Sequence, residues 1–191
     1  MIAPIADPTI AEMRQCAPES RDVAVPALAA DARAERTAWL DLFGPLPSAY
    51  MGAIEPMTLL REARACYVER HFMATILAAA AHVEHTLAEE LELRNLVASD
   101  GSLSFDRAIA IAHVNNVFAH PDVRAKIDAL RLVRNPLTHR KPDGHAYAIA
   151  TRFRAQKRPP WVILQEDAML ALEVMHGLFF GTLRPFDEGS A

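Results

Sequence analysis

Apolar residues at Phe72, Ile76, Ala79, Val83, Leu87 and Leu91 recur at spacings of four and three, the repeat that lays one continuous stripe along an α-helix. A second stripe through Met73, Leu77 and Ala80 meets Glu84 before resuming at Leu87 or Leu91. The periodicity therefore predicts a buried carboxylate at Glu84, which needs a partner because an unpaired buried charge is costly. Residues 57–97 read as two helices broken at residues 69–72. Upstream, residues 27–43 read as a helix ended by Gly44 and Pro45, and residues 44–56 as a loop, with two glycines and three prolines in thirteen positions. Residues 1–26 carry four prolines and read as an arm with a short helix within residues 9–17.

Downstream, residues 99–104 read as a polar turn and residues 105–118 as a helix with Ile109, Ala112 and Val117 inward. After a break at His120 and Pro121, Asp122 is placed to cap a helix running through Val123, Ile127, Leu130, Val133 and Leu137. Residues 145–164 alternate around the basic turn QKRPP, which predicts a short β-hairpin or extended excursion. The last element is an amphipathic helix over residues 166–183, with acids in its first turn where they favour the helix dipole. The expected fold is all-α: residues 1–50 form an N-terminal arm and helix, and residues 51–191 a helical domain.

Composition supports that picture. With 191 residues, 51% of them hydrophobic and 23% charged, the chain has material for one sizeable core, and it is rich in helix formers. Cys16 and Cys66 lie fifty residues apart with no CxxC pair, so neither a disulfide scaffold nor a zinc ribbon is implied, and a cytoplasmic location is expected. The N-terminus has no basic leader, and the most apolar window, FMATILAAAAHV, is about half the roughly 20 residues of a membrane span. Neither export nor membrane insertion is expected.

Charge is distributed unevenly. Residues 124–158 hold ten of the twenty Lys and Arg residues against two acids, so this window carries +8 in a chain whose net charge is -4. Such a field attracts a polyanion locally. Arg131, Arg140, Lys141, Arg152, Arg154, Lys157 and Arg158 are the candidate nucleic-acid contacts. Equally, the window can be a solvated basic face that pairs with the acidic remainder.

Within it, LRLVRNPLTHRKP, residues 130–142, gathers Arg134, Asn135 and His139 around Pro136. Asn135 and His139 share a helix face, whereas Arg134 and His139 stand about 140° apart on a straight helix. Pro136 has no N–H for the carbonyl of Leu132 and clashes with it, so a bend is expected that brings the three together. An imidazole titrating near roughly 6.5 moves protons at neutral pH, and an arginine fork neutralises charge developing on a phosphorane. The plainer reading is that His139 caps the helix, Asn135 makes a turn and Arg134 pairs with Glu84 or another acid.

RNPLTH also fits the R-x4-H pattern, with Asn after Arg, of the HEPN (higher eukaryotes and prokaryotes nucleotide-binding) domain. The alanine-rich segment AAAAHVEHTLAEEL, the helix running into ALRLVRNPLTH and the closing helix after EDA stand in that family's order. The resemblance covers about residues 56–183 and implies a bundle of four to five helices, here with an N-terminal helical extension. Many members of the family are dimeric, metal-independent endoribonucleases, some in toxin or defence systems. Carried onto this chain, the resemblance implies Arg134 and His139 as catalytic pair, Asn135 assisting, and RNA cut by its own 2′-hydroxyl without a cofactor. Other members bind nucleotides or act as non-catalytic modules for a partner protein. Pro136 inside the motif is a departure from the family pattern.

A metal site at HVEH, residues 82–85, has two histidines three apart but no further ligand at diagnostic spacing, so no metal is expected. The chain has no P-loop, dinucleotide fingerprint or G-x-S-x-G elbow.

Overall fold

The longest apolar stripe becomes the central helix of an all-helical bundle. In the computed structural model, which describes residues 25–46, 54–98 and 103–179, the elements are α1 (Val25–Asp41), α2 (Ile54–Val68), α3 (Phe72–Leu93), α4 (Phe105–Val114), α5 (Pro121–Thr138), α6 (Ile149–Gln156) and α7 (Pro160–Phe179). The expected arm, the helix within residues 9–17 and the boundary at residue 50 lie outside the described residues. Phe72, Ile76, Ala79, Val83, Leu87 and Leu91 are all buried, and α3 packs against α2, α4, α5 and α7. Ala79 and Ala80 are fully buried, so two of its faces bring short side chains to neighbouring helices. From α1, Leu40 enters the same core, and Trp39 packs on Tyr67 with ring centroids 5.2 Å apart.

The break expected at residues 69–72 is a helix cap. Arg70 adopts a left-handed conformation (φ 65°), its N–H bonds the carbonyl of Tyr67, and the N–H of His71 bonds that of Cys66. That pair of bonds satisfies carbonyls the helix end leaves open, the Schellman arrangement. Asn95 ends α3 and Asn116 ends α4 in the same way. The last of these tucks Val117 and Phe118 into the core, so the helix expected to Phe118 stops at Val114 while Ile109, Ala112 and Val117 still point inward.

Several expectations are corrected. The loop assigned to residues 44–56 ends early, because Ile54, Glu55 and Pro56 already form the first turn of α2, where a proline costs no hydrogen bond. Asp122 does not cap α5: His120 occupies that position and Asp122 pairs with Lys126 at 3.3 Å. The hairpin is absent, since residues 149–156 form α6 and the chain turns at left-handed Lys157 before Pro160 opens α7. The alternation there gave way because only Phe153 of α6 is buried, and a helix needs no pairing strand. The closing helix therefore begins at Pro160, and Glu166 and Asp167 lie beyond its first turn, bonded to arginines rather than to the dipole.

Two histidines sit inside this core. The carbonyl of Pro56 accepts from His82 Nδ1 at 2.7 Å, so Nε2 carries no proton and faces the Thr86 hydroxyl. At His176, Arg64 can only donate to Nε2 (3.3 Å), and Phe43 stacks on the ring at 4.4 Å. Burial lowers the pKa of His82, and burial together with the Arg64 charge pushes His176 down to about 4. Both rings are neutral when folded, whereas in the unfolded chain they bind protons below about 6.5. Stability is therefore fully present above that pH and falls as pH drops toward 4. Urea titrations are expected to show a loss on the order of 2 kcal/mol from His176 between pH 7 and 5, and His176→Gln should flatten the dependence. A slope unchanged in that variant contradicts the assignment.

Candidate functional site at the end of α5

α5 buries Val123, Ile127, Leu130 and Val133, and Arg134, four residues after Leu130 and seven after Ile127, continues that stripe at the end of the helix. Pro136 lies inside the helix without ending it, and α5 continues to Thr138. The chain leaves the helix at His139, whose backbone is extended (φ −133°, ψ 128°), while its N–H still bonds the carbonyl of Asn135 at 3.0 Å. The Thr138 hydroxyl also donates to that carbonyl, at 3.3 Å. Pro136 does not interrupt the helix, and the extended conformation begins only at His139.

Arg134 turns toward α3, where its Nη2 lies 3.5 Å from Glu84 Oε2. The pair is only partly withdrawn from water: 24% of the arginine side chain and 30% of the glutamate remain accessible. Glu84 is thus not the buried acid its register predicted. The stripe it belongs to surfaces at Met73, and the buried polar groups of α3 are Thr75 and His82. Asn135 is half-buried and His139 is exposed. The structure thus couples Arg134 to Glu84 and leaves the imidazole of His139 in solvent at the helix end.

Beside Glu84, a groove of about 540 Å³ runs between α3 and α4, lined by His85, Glu92, Leu96, Leu103, Arg107 and Ile111 among others. Sequence periodicity did not reveal it, because its walls come from two different helices. His82 and His85 do not converge on it: His85 lines the groove, but His82 faces the core. Among the described residues no three His, Cys, Asp or Glu side chains form a cluster suited to a metal ion. No helix there is long and apolar enough to cross a membrane.

The basic window is largely engaged by carboxylates from elsewhere. Arg131 bonds Asp106 at 2.8 Å and Asp128 at 3.3 Å, Arg124 lies 3.7 Å from Asp128, and Lys126 pairs with Asp122. Arg152 forks onto both oxygens of Asp167, at 2.5 and 2.8 Å, and Arg158 grips Glu166 through both terminal nitrogens. Adding Asp106, Asp122, Glu84, Glu166 and Asp167 to the window reduces its +8 to +3. Of the seven candidate nucleic-acid contacts, Arg140, Lys141 and Lys157 form no ion pair among the described residues, and Arg154 is exposed at the end of α6. Asp167 was legible in principle. It falls on the apolar stripe through Ile163 and Ala171, the same signal that singled out Glu84.

No protein-family model, curated protein or solved structure matches this chain.

Burial separates the two ion pairs of α7. Asp167 is 6% and Arg152 16% accessible, so Asp167→Ala leaves a cation poorly solvated and should cost about 3 kcal/mol in denaturant unfolding. Glu166→Ala frees Arg158 to water and should leave the unfolding midpoint nearly unchanged. Equal effects of the two substitutions contradict that division.

Proposed function

We propose that the chain is a HEPN-like, metal-independent endoribonuclease whose working groups are Arg134 and His139, with Asn135 assisting. The observation that carries this reading is the state of Arg134. Glu84 faces its guanidinium and leaves it partly open to solvent, five residues before the exposed imidazole of His139. A positioned cation and a solvent-accessible proton carrier are the two groups that RNA transesterification requires. In that reaction the imidazole takes the proton of a ribose 2′-hydroxyl, whose oxygen attacks the adjacent phosphorus. The bond from phosphorus to the 5′ oxygen breaks, and that oxygen receives a proton from an imidazolium. A 2′,3′-cyclic phosphate and a 5′-hydroxyl result, without water or metal. Arg134 stabilises the extra negative charge on the phosphorane, and the resemblance adds a second copy of the chain facing the first across the cleft.

A second reading, a non-catalytic helical module, is favoured by the internal pairing of Arg131, Arg152 and Arg158, which leaves a smaller basic surface for RNA. In that case Arg140, Lys141 and Lys157 carry the contact, and neutralising them weakens binding and its dependence on salt.

Incubation of the purified chain with single-stranded RNA in a chelator separates the readings. The enzyme reading predicts cyclic-phosphate ends and a loss of at least 100-fold in rate for Arg134→Ala and for His139→Ala, with helical content and melting temperature retained. Cutting at the parental rate by both variants, or no cutting by the parent, rejects it.

A further inference from the structure

Arg70 is a bulky residue in the left-handed region, where a side chain is normally disfavoured and glycine is the residue that costs least. Its place in the α2 cap explains the backbone bonds but does not call for a guanidinium. That group lies 5.7 Å from the ring centre of Trp161, and Trp161, the second residue of α7, is 49% exposed. Arg70 forms no ion pair among the described residues. Its nearest acidic neighbour in sequence, Glu69, is held by Arg33 at 2.5 Å.

Arg70 lies over the ring face of Trp161, and the two side chains line both of two adjacent grooves and form their shared wall. On one side, a groove of about 400 Å³ is lined by Arg36, Trp39, Tyr67 and Gln165, with Glu35 at its α1 rim. On the other, a groove of about 450 Å³ is mostly apolar and passes Met73 and Leu164. Arg36 is fixed in the first groove because Nε and Nη2 both donate to the carbonyl of Val68, at 2.9 and 2.7 Å. Its charge is not cancelled by those bonds, and Arg70 stands close enough to repel it while Glu69 offsets part of that repulsion. Two guanidiniums, one of them pinned, thus border a cleft with aromatic sides, and an anion in it relieves their repulsion. Arginine planes and tryptophan faces are also the surfaces on which nucleobases stack.

We propose that the groove between α1, the α2–α3 turn and α7 binds a nucleoside phosphate, its base stacked on the Arg70–Trp161 wall and its phosphate held by Arg36 and Arg70. The ligand is either a free nucleotide or one unpaired nucleotide within a strand; both present a flat ring joined to an anion. The site is separate from Arg134 and His139 and does not depend on whether those residues cleave RNA.

Arg70→Gly makes the test clean, because glycine suits the left-handed cap and the variant should fold at least as stably as the parent. Tryptophan fluorescence and calorimetry with AMP, adenosine, inorganic phosphate and hexa-adenylate RNA supply the readout. AMP is expected to bind at least tenfold more tightly than adenosine or phosphate, and Arg70→Gly and Trp161→Ala each to weaken it tenfold or more. Hexa-adenylate binding well above AMP identifies a strand as the source of the ligand, and equal binding identifies the free nucleotide; both support the site. Absence of binding by AMP and hexa-adenylate at millimolar concentration overturns the proposal, as does AMP affinity unchanged by Arg70→Gly.

Discussion

Everything in this fold is arranged around the burial of α3. Phe72, Ile76, Val83, Leu87 and Leu91 supply the contact area, and Ala79 and Ala80 put short side chains on its buried faces. Burying each large apolar side chain is worth about 1.5–3 kcal/mol, so this one helix supplies more stabilisation than the surface ion pairs together. Its one wholly internal polar tie, His82 to the carbonyl of Pro56, fixes the start of α2. Where the buried sectors of α3 leave a gap, Glu84 and His85 emerge beside the groove to α4, and Arg134 of α5 meets Glu84 there.

The arginines divide by what they hold. Arg152 and Arg36 act as internal staples, one onto Asp167 of α7 and the other onto the Val68 carbonyl at the end of α2. Arg134 differs because its acidic partner is itself part-exposed and lies at 3.5 Å, long for a charge-assisted bond. A pair of that kind contributes roughly 0–1 kcal/mol, too little for the fold to depend on it. Its consequence is positional, since the contact directs the guanidinium toward Glu84 on α3.

Helical periodicity made the core legible. The buried face of α3, the inward residues of α4 and the stripe of α5 all follow spacings of three and four, because each helix buries one side against the others. Periodicity failed where tertiary contacts decide. Residues 149–156 alternate like a strand yet coil into α6, and the acids taken for the start of α7 lie beyond its first turn and bond arginines. Glu84 does face Arg134, but it is part-exposed and not the buried acid its register predicted. Arg70 carried no sequence signal at all, because a left-handed cap is usually announced by Gly or Asn. Each groove is lined by more than one element, a placement that a one-dimensional pattern does not encode.

If the chain cleaves RNA as proposed, Glu84 serves Arg134 rather than the fold. That role is tested most directly by measuring RNA cleavage by Glu84→Gln together with its thermal unfolding. On that reading cleavage falls by up to about 100-fold, the cost of misplacing a reacting group, with the melting temperature nearly that of the parent. Parental cleavage by Glu84→Gln, or a collapse in stability that accounts for the lost activity, would contradict it.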